Sequence, residues 1–235
     1  MIDKILTLYK DQFGFQDFYS HLVYKVTQYP NNDSFLKGLK PEAKNFKEFC
    51  TNEGDIRVDL PVWFGNPESS KKIVIMGSEP RDTASHLNIE KVEFNGEKYV
   101  FATPFALEYS GGKYQRAFKD LTNSNDIFVY FTDVVKEYKV IGLDKEGKNQ
   151  NDKNARNVFN QKANEYKEFL GRELDIIQPN ILIGLGSKSY SKLNQIKFFK
   201  KKYENKIIEV THPAAWGGAE KAKRDIEKIL SDLKI

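Results

Sequence analysis

The sequence predicts an α/β fold: a three-layer α/β/α domain around a central, mainly parallel four-stranded sheet, preceded by a helical N-terminal extension. Two observations lead to this prediction. Four short runs rich in Ile and Val lie beyond residue 70, and segments with helical spacing of apolar residues follow most of them. Continuous apolar runs suit strands that are buried on both faces of a parallel sheet. Strands that alternate with helices predict right-handed crossover connections.

The first part of the chain, residues 1–60, is predicted to be a helical extension that packs on the domain formed by residues 61–235. Its large apolar side chains recur at roughly helical spacing. Pro30 and the polar residues after it interrupt this pattern. The apolar positions are Ile5, Leu8, Tyr9, Phe13, Phe15, Phe18, Leu22, Val26, Phe35, Leu39, Phe46 and Phe49.

The domain itself is predicted from its apolar runs. Apolar residues between 159 and 177 step by three or four, which predicts one amphipathic crossover helix that stops before Pro179. A similar pattern over residues 222–233 predicts a C-terminal helix. The four predicted strands are residues 72–77, 127–131, 181–185 and 207–210.

Composition narrows the class of protein. The length of 235 residues suits one domain, and the net charge of +4 permits a phosphate-bearing partner without requiring one. The single cysteine, Cys50, excludes an internal disulfide, a cysteine-rich zinc site and a four-cysteine iron–sulfur cluster. No signal peptide and no run long enough to span a bilayer is evident. We therefore expect a soluble cytoplasmic protein.

Polar or glycine-rich residues follow each predicted strand. Ligands of parallel α/β sheets bind at the carboxyl ends of the strands, so these residues are candidates for a functional site. Taken singly, none of the segments is specific. They are Gly77-Ser78-Glu79-Pro80-Arg81, Thr132-Asp133-Val134-Val135-Lys136, Gly184-Leu185-Gly186-Ser187-Lys188 and Thr211-His212-Pro213-Ala214-Ala215-Trp216.

In this order, the segments resemble the uracil-DNA glycosylase superfamily over roughly residues 60–235. Residues 62–80 look like the family's first strand with its water-activating loop, and residues 101–104 resemble its Phe-Ser-Val-Pro stretch. Residues 113–121 look like the helix that follows. Residues 132–136 resemble an Asn-Val-Val-Lys loop, and residues 212–216 resemble its His-Pro-Ser-Pro-Leu loop. The cysteine count separates the chain from the iron–sulfur branch of the superfamily.

The resemblance implies a DNA glycosylase that hydrolyses the N-glycosidic bond of a flipped uracil or related damaged base. Breaking this bond develops positive charge on the sugar and negative charge on the departing base. A carboxylate stabilises the first charge and orients a water, and a hydrogen-bond donor stabilises the second. Glu79 and His212 are the expected catalytic pair, supplied from adjacent strand ends. No lysine is an evident Schiff-base nucleophile, so we expect a monofunctional enzyme.

The other site residues follow from the same resemblance. Ser78, Phe101 and Asp133 are expected to bind the base, with Phe101 as the ring on which the base stacks. Phe105 is a rival for that role.

Four further residues are expected to contact DNA, and the partner is damaged or uracil-containing DNA bound by a monomer. Trp216 stands where the family has its intercalating wedge, although packing against a helix would equally account for a tryptophan there. The four residues are Arg81, Lys188, Ala214 and Trp216.

The chain departs from the family pattern at four positions. Glu79 stands at the position of an Asp in one form of the loop, and Arg81 stands where Tyr or Gly is usual. Ala214 replaces a Ser that contacts phosphate. Asp133 replaces the Asn that reads the base, and an ionised Asp only accepts hydrogen bonds. An ionised Asp133 would therefore favour a base other than plain uracil, or binding without rapid cleavage.

Two other functions stay open at this point. A catalytically weak DNA-binding module of the same fold is favoured by Arg81 and Asp133. An unrelated doubly wound nucleotide-binding protein would use residues 184–187 as a phosphate loop, although the Gly-Lys-Thr continuation is missing.

Overall fold

The computed structural model describes residues 1–14, 54–79, 88–102, 113–122, 124, 126–139, 155–204 and 206–232. Within these residues the helices are α1 Ile2–Phe13, α2 Lys113–Thr122, α3 Ala155–Glu165, α4 Lys167–Ile177, α5 Gly186–Gln195, α6 Lys197–Lys202 and α7 Gly218–Asp232. The strands are β1 Ile56–Asp59, β2 Val62–Phe64, β3 Lys71–Gly77, β4 Asn88–Phe94, β5 Glu97–Ala102, β6 Ile127–Asp133, β7 Glu137–Lys139, β8 Ile181–Leu185 and β9 Ile207–Val210.

The larger sheet contains all four predicted strands. Its order is β2-β6-β3-β8-β9, and β6, β3, β8 and β9 run parallel to one another. β6 and β8 are buried along their whole length, as expected of strands covered on both faces. The α/β class is confirmed.

The predicted number of strands in this sheet is wrong, because β2 adds a fifth strand antiparallel to β6 at one edge. β2 is only three residues long, too short to stand out as a strand in the sequence. The ring of Trp63 stacks on that of Tyr130, with centroids 6.3 Å apart and planes 9° apart, so burial of aromatic surface holds this short strand in place.

A second, four-stranded sheet with the order β4-β5-β1-β7 was not predicted. Its β4–β5 hairpin turns at Asn95-Gly96, where both residues have positive φ (53° and 79°). An Asn-Gly pair between two strands is the common signal for such a turn, so the sequence did carry evidence for this hairpin. Charged residues are frequent in β4 and β5, so these strands do not form the continuous apolar runs from which the other strands were predicted. They are Glu90, Lys91, Glu93, Glu97 and Lys98.

Helix α1 confirms the helical pattern predicted at the start of the chain. Ile5, Leu8, Tyr9 and Phe13 are buried on one face, and Gly14 ends the helix in the left-handed conformation. Residues 15–53, with the other apolar positions of the predicted extension, lie outside the described residues. Ile56–Asp59, at the end of the same segment, form strand β1.

A buried polar cluster joins α1 to the larger sheet. The Nζ of Lys136 lies 2.6 Å from Oε2 of Glu173, and both side chains are 0% exposed. The hydroxyls of Tyr9 and Tyr130 donate to Oε1 of Glu173 at 2.8 and 2.7 Å. The Nζ of Lys136 also donates to the hydroxyl of Thr132 at 2.5 Å. The hydrogen bonds of this cluster offset part of the cost of burying the ion pair between Lys136 and Glu173.

The predicted crossover helix is present as two helices, α3 and α4, that meet at Tyr166. Backbone hydrogen bonds from Tyr166 N to Lys162 O and from Leu170 N to Tyr166 O, both 2.9 Å, continue across the junction. The hydroxyl of Tyr166 donates to Oε2 of Glu137 at 2.6 Å. The predicted C-terminal helix is confirmed as α7, which packs against α2.

Among the described residues, no helix combines the length and the apolar character that a bilayer span requires.

Candidate active site

The loops that follow β3 and β6 are fastened to each other. Gly77, the last residue of β3, lies opposite Asp133, the last residue of β6. Beyond the strands, Val134 N donates to Gly77 O at 3.0 Å and Val135 N donates to Ser78 O at 2.9 Å. The pairing of the two strands therefore continues into both loops and fixes Ser78 beside Asp133. Ser78 itself is half-buried.

Glu79 is a half-buried carboxylate with a cationic neighbour. Its side chain is 21% exposed, and Oε1 accepts a hydrogen bond from Nζ of Lys188 in the first turn of α5. The same Nζ lies 4.1 Å from the ring centroid of Phe159, a cation–π contact. The resemblance implied that Lys188 contacts DNA, and its pairing with Glu79 was not predicted.

His212 lies half-buried just beyond β9, and its hydrogen bonds indicate which ring nitrogen carries the proton. The backbone N–H of Ala214 donates to Nδ1 at 3.2 Å, so Nδ1 acts as an acceptor. In the neutral ring the proton is then on Nε2, which lies 3.2 Å from the hydroxyl of Tyr114. The rings of Tyr114 and His212 meet edge to face, 5.8 Å apart. His212 can therefore present a neutral N–H donor at Nε2.

A tight turn follows His212 and leads directly into α7. Ala215 N donates to His212 O at 3.0 Å, and Gly218 N donates to Ala215 O at 2.8 Å. A Cβ on Gly218 would lie 2.3 Å from His212 O, so only glycine fits at this position. The turn leaves Ala214 exposed and Trp216 97% exposed, which makes Trp216 an unusually accessible large apolar side chain.

Glu79 and His212 were expected to follow adjacent strands. They follow strands that are not adjacent. Their strands, β3 and β9, are separated by β8. Neighbouring strands lie about 4.8 Å apart, so the two strand ends are separated by roughly 10 Å.

Asp133 is a buried carboxyl surrounded by other charged groups. It is 5% exposed, and burial is the main cause that raises its pKa well above the usual value. The charge of Asp59 raises this pKa further and that of Glu79 adds to it, while Lys136 and Arg57 oppose them. The environment favours the neutral acid, whereas the sequence analysis reasoned from an ionised Asp133.

Asp59 and Arg57, on β1, form the other side of this charged group. The Nε of Arg57 donates to Oδ1 of Asp59 at 3.0 Å, and both residues are buried. Burial also raises the pKa of Asp59. Neither residue was predicted as part of the site, because β1 itself was not predicted.

A comparison with models of protein families identifies the family of this chain. Residues 62–234 match the model of the uracil DNA glycosylase superfamily. The chain belongs to this superfamily. A comparison with curated proteins gives no match.

Membership in the uracil DNA glycosylase superfamily confirms the resemblance found in the sequence and associates the chain with DNA glycosylases, which act on DNA. It also removes the alternative of an unrelated nucleotide-binding protein. The match begins at Val62, within β2, so the antiparallel edge strand is part of the superfamily domain, and β1 and α1 precede it.

Two of the three expected base-binding residues lie together, and the third lies on the other sheet. Asp133 and Ser78 lie at one edge of the larger sheet, near Glu79. Phe101 is on β5 of the second sheet, is 0% exposed, and stacks on Tyr99 with ring centroids 6.3 Å apart. In this conformation its ring is not accessible to a base. Phe105 and Arg81 lie outside the described residues.

A polar cavity of about 440 Å³ adjoins Lys188 between α3 and α5. Ser187 and Lys192 contribute to its wall. The Nζ of Lys192 donates to Oδ1 of Asn164 at 3.0 Å. Two lysines, Lys188 and Lys192, therefore lie in the wall of a cavity beside the candidate site.

Proposed function

We propose that this protein is a monofunctional DNA glycosylase that uses water to hydrolyse the N-glycosidic bond of a flipped uracil or related damaged base. The observation that carries the proposal is the presence of two side chains at the same edge of the sheet. Glu79 is a half-buried carboxylate, and His212 accepts a backbone hydrogen bond at Nδ1. The strands that precede them, β3 and β9, end about two strand spacings apart at one edge of the sheet.

Each group has a defined task in this reaction. Oε1 of Glu79 carries the contact with Lys188, and Oε2 is left to orient the attacking water and to face the cationic sugar. The Nε2–H of His212 donates to the carbonyl oxygen of the departing base, where negative charge develops. Tyr114 holds the imidazole ring in the absence of substrate. No step needs a metal or a cofactor.

DNA contacts are proposed around this centre. The exposed residues 214–217 of the turn meet the strand that carries the flipped base, with the backbone of Ala214 near a phosphate. Lys188 and Arg81 supply positive charge for further phosphates. A monomer is sufficient for this arrangement.

The proposal is tested by base release from labelled single- and double-stranded oligonucleotides. The substrates carry uracil, hypoxanthine, xanthine or a mismatched thymine, with an unmodified strand as control, and alkali reveals abasic sites. We expect release of at least one base, strand breakage only after alkali, and a 10²- to 10³-fold slower reaction for His212→Ala, because one donor to the developing anion is lost.

The same assay addresses the alternative function. The ion pair between Glu79 and Lys188 favours a weak enzyme, because the ammonium offsets the charge that the cationic sugar requires. If the wild-type protein binds these oligonucleotides but releases no base, the DNA-binding module replaces the enzyme as the function.

Trp216 is expected to fill the space that a flipped base leaves in the duplex. Extrusion of a base costs a few kcal/mol, which an inserted aromatic ring partly offsets. Trp216→Ala should therefore slow release from double-stranded DNA by about tenfold or more, where 1.4 kcal/mol corresponds to a factor of ten. Single-turnover rates on both kinds of substrate check this.

Single-stranded DNA serves as the internal control for Trp216, because there is no duplex gap to fill. Trp216→Phe should retain most of the double-stranded activity. Equal losses of Trp216→Ala on single- and double-stranded substrates would contradict the wedge and indicate a structural role in the turn before α7.

A further inference from the structure

Lys192, on α5, is a buried lysine without an acidic partner. It is 5% exposed, and its Nζ donates to Oδ1 of Asn164 at 3.0 Å and to the backbone oxygen of Asn160 at 3.3 Å. Both acceptors are neutral groups on α3, and no carboxylate among the described residues pairs with this ammonium. An ammonium has three N–H donors, so one of them is left without an acceptor in the part of the chain that the structure describes.

A second buried lysine shows how the fold otherwise treats such a charge. Lys136 is paired with Glu173, and both side chains are 0% exposed. Lys192 has no such counterion, and burial lowers the pKa of its ammonium. A buried cation is costly unless an anion compensates its charge. The surroundings of Lys192 therefore suit an anion that comes from outside the chain.

Lys192 lies in the wall of the cavity of about 440 Å³ between α3 and α5. Sites for small ligands typically have volumes of about 300–1,000 Å³. Residues 188, 191, 192 and 195 of the wall follow one another at three or four positions or less, so they share one side of α5. They supply two ammonium groups, a hydroxyl and an amide, and none of the described residues in the wall is acidic. The cavity therefore has the donors and the charge of an anion site.

Lys188 is the second cation of this wall, but its charge is shared with Glu79. Its Nζ bonds to Oε1 of Glu79 and lies 4.1 Å from the ring centroid of Phe159, which also lines the cavity. The positive charge that remains uncompensated is therefore that of Lys192.

We propose that the cavity between α3 and α5 binds a phosphate group, with the ammonium of Lys192 as its central charge and the side chains of Ser191 and Gln195 as further hydrogen-bond donors. Lysine binds phosphate as a point charge, and charge-assisted hydrogen bonds are the strong ones. Bound DNA is one source of this group, since it carries a phosphate at every nucleotide, and a free phosphate compound is the other. The inference does not rest on the proposed function, because phosphate binding needs no release of a base.

The test titrates the isotope-labelled full chain with inorganic phosphate, at an ionic strength kept constant with chloride, and follows its backbone amide signals by NMR. We expect saturable shifts at Asn160, Ser191 and Gln195. Lys192→Met should bind phosphate about tenfold more weakly or worse, because a charge-assisted hydrogen bond is lost. Lys228→Met removes an exposed lysine of α7 and should bind like the wild type. Absence of saturable shifts in the wild type, or equal affinity of Lys192→Met, would overturn the proposal.

Thermal unfolding separates the phosphate site from a merely structural role of Lys192. The quantity compared is the rise in the midpoint when phosphate replaces chloride, because a ligand stabilises only the protein that binds it. General salt effects of phosphate are common to all variants. Lys192→Gln, which keeps an N–H donor without the charge, serves as a second variant. The rise should be smaller in both variants than in the wild type, and equal rises would indicate a structural role and overturn the proposal.

Titration with an oligonucleotide identifies the source of the phosphate group. If DNA supplies it, the oligonucleotide displaces inorganic phosphate from the cavity. The slope of log K for DNA against log salt concentration then becomes less steep by about 0.7–0.9 in Lys192→Met. If a free phosphate compound supplies it, inorganic phosphate stays bound in the DNA complex and the slope is unchanged. Either result supports the phosphate site, and both are measured equally well on a protein that releases no base.

Discussion

Glu79→Gln is expected to lower the single-turnover rate of base release by about 10²- to 10⁴-fold, the range for loss of a positioned acid–base group. Glutamine has nearly the same size and can still accept a hydrogen bond from Lys188, so the loop is retained. What is lost is the negative charge beside the cationic sugar and the oxygen that takes a proton from the attacking water. Saturating enzyme on a uracil-containing oligonucleotide gives this rate directly.

Two variants make the result for Glu79 specific. Glu68→Gln removes an exposed carboxylate on the connection between β2 and β3, and it should leave the rate unchanged. Lys188→Met removes the cation beside Glu79 and keeps an apolar stem against Phe159. With saturating enzyme its rate should not fall below that of the wild type, because the ammonium of Lys188 offsets the negative charge of Glu79. A rate for Glu79→Gln within threefold of wild type, with folding intact, would exclude Glu79 as the catalytic carboxylate.

Glu173→Ala is expected to lower the free energy of unfolding by about 3–5 kcal/mol, because it leaves the fully buried ammonium of Lys136 without its counterion. The hydroxyls of Tyr9 and Tyr130 lose their acceptor at the same time. For a chain of this size, the loss corresponds to a fall of roughly 6–20 °C in the midpoint of thermal unfolding. Urea denaturation followed by circular dichroism measures the free energy itself.

The control for Glu173 lies on the same helix. Glu168→Ala removes an exposed glutamate in the first turn of α4, and it should cost no more than about 1 kcal/mol. The double variant Lys136→Met/Glu173→Leu should recover much of the loss, since apolar replacement of a buried ion pair is often tolerated. Similar stabilities for Glu173→Ala and Glu168→Ala would show that the cluster contributes little.

The sequence predicted the strands that form runs of Ile and Val, and it did not predict the strands that are very short or contain several charged residues. Residues 181–185 consist of apolar residues and glycine, a pattern typical of a strand in the middle of a parallel sheet, and they form β8 as expected. β1 and β7 are four and three residues long and contain Arg, Asp, Glu or Lys. Such strands form because neighbouring strands supply hydrogen bonds, and that information lies elsewhere in the chain.

The sequence predicted which residues of the candidate site follow the strands. It did not predict which side chains these residues contact. Glu79, Asp133 and His212 follow predicted strands, so topology alone assigns them to one edge. The contact of Lys188 with Glu79 and that of Tyr114 with His212 depend on side-chain directions in helices α5 and α2. Burial raises the pKa of Asp133, and the charge of Asp59, which lies 74 residues earlier on an unpredicted strand, raises it further. Phe101 matched the pattern of the family, yet its ring is enclosed.

The cluster that joins α1 to the sheet also affects when this chain can complete its fold. Tyr9 bonds to Glu173, 164 residues later, and to Thr132, 123 residues later. Synthesis at 5–20 residues per second delivers Glu173 roughly 8–30 s after Tyr9. Throughout that interval α1 lacks its contacts with α4, and contacts so distant in sequence form slowly even in the full chain. The nascent first helix therefore needs protection from aggregation before the second half of the protein emerges.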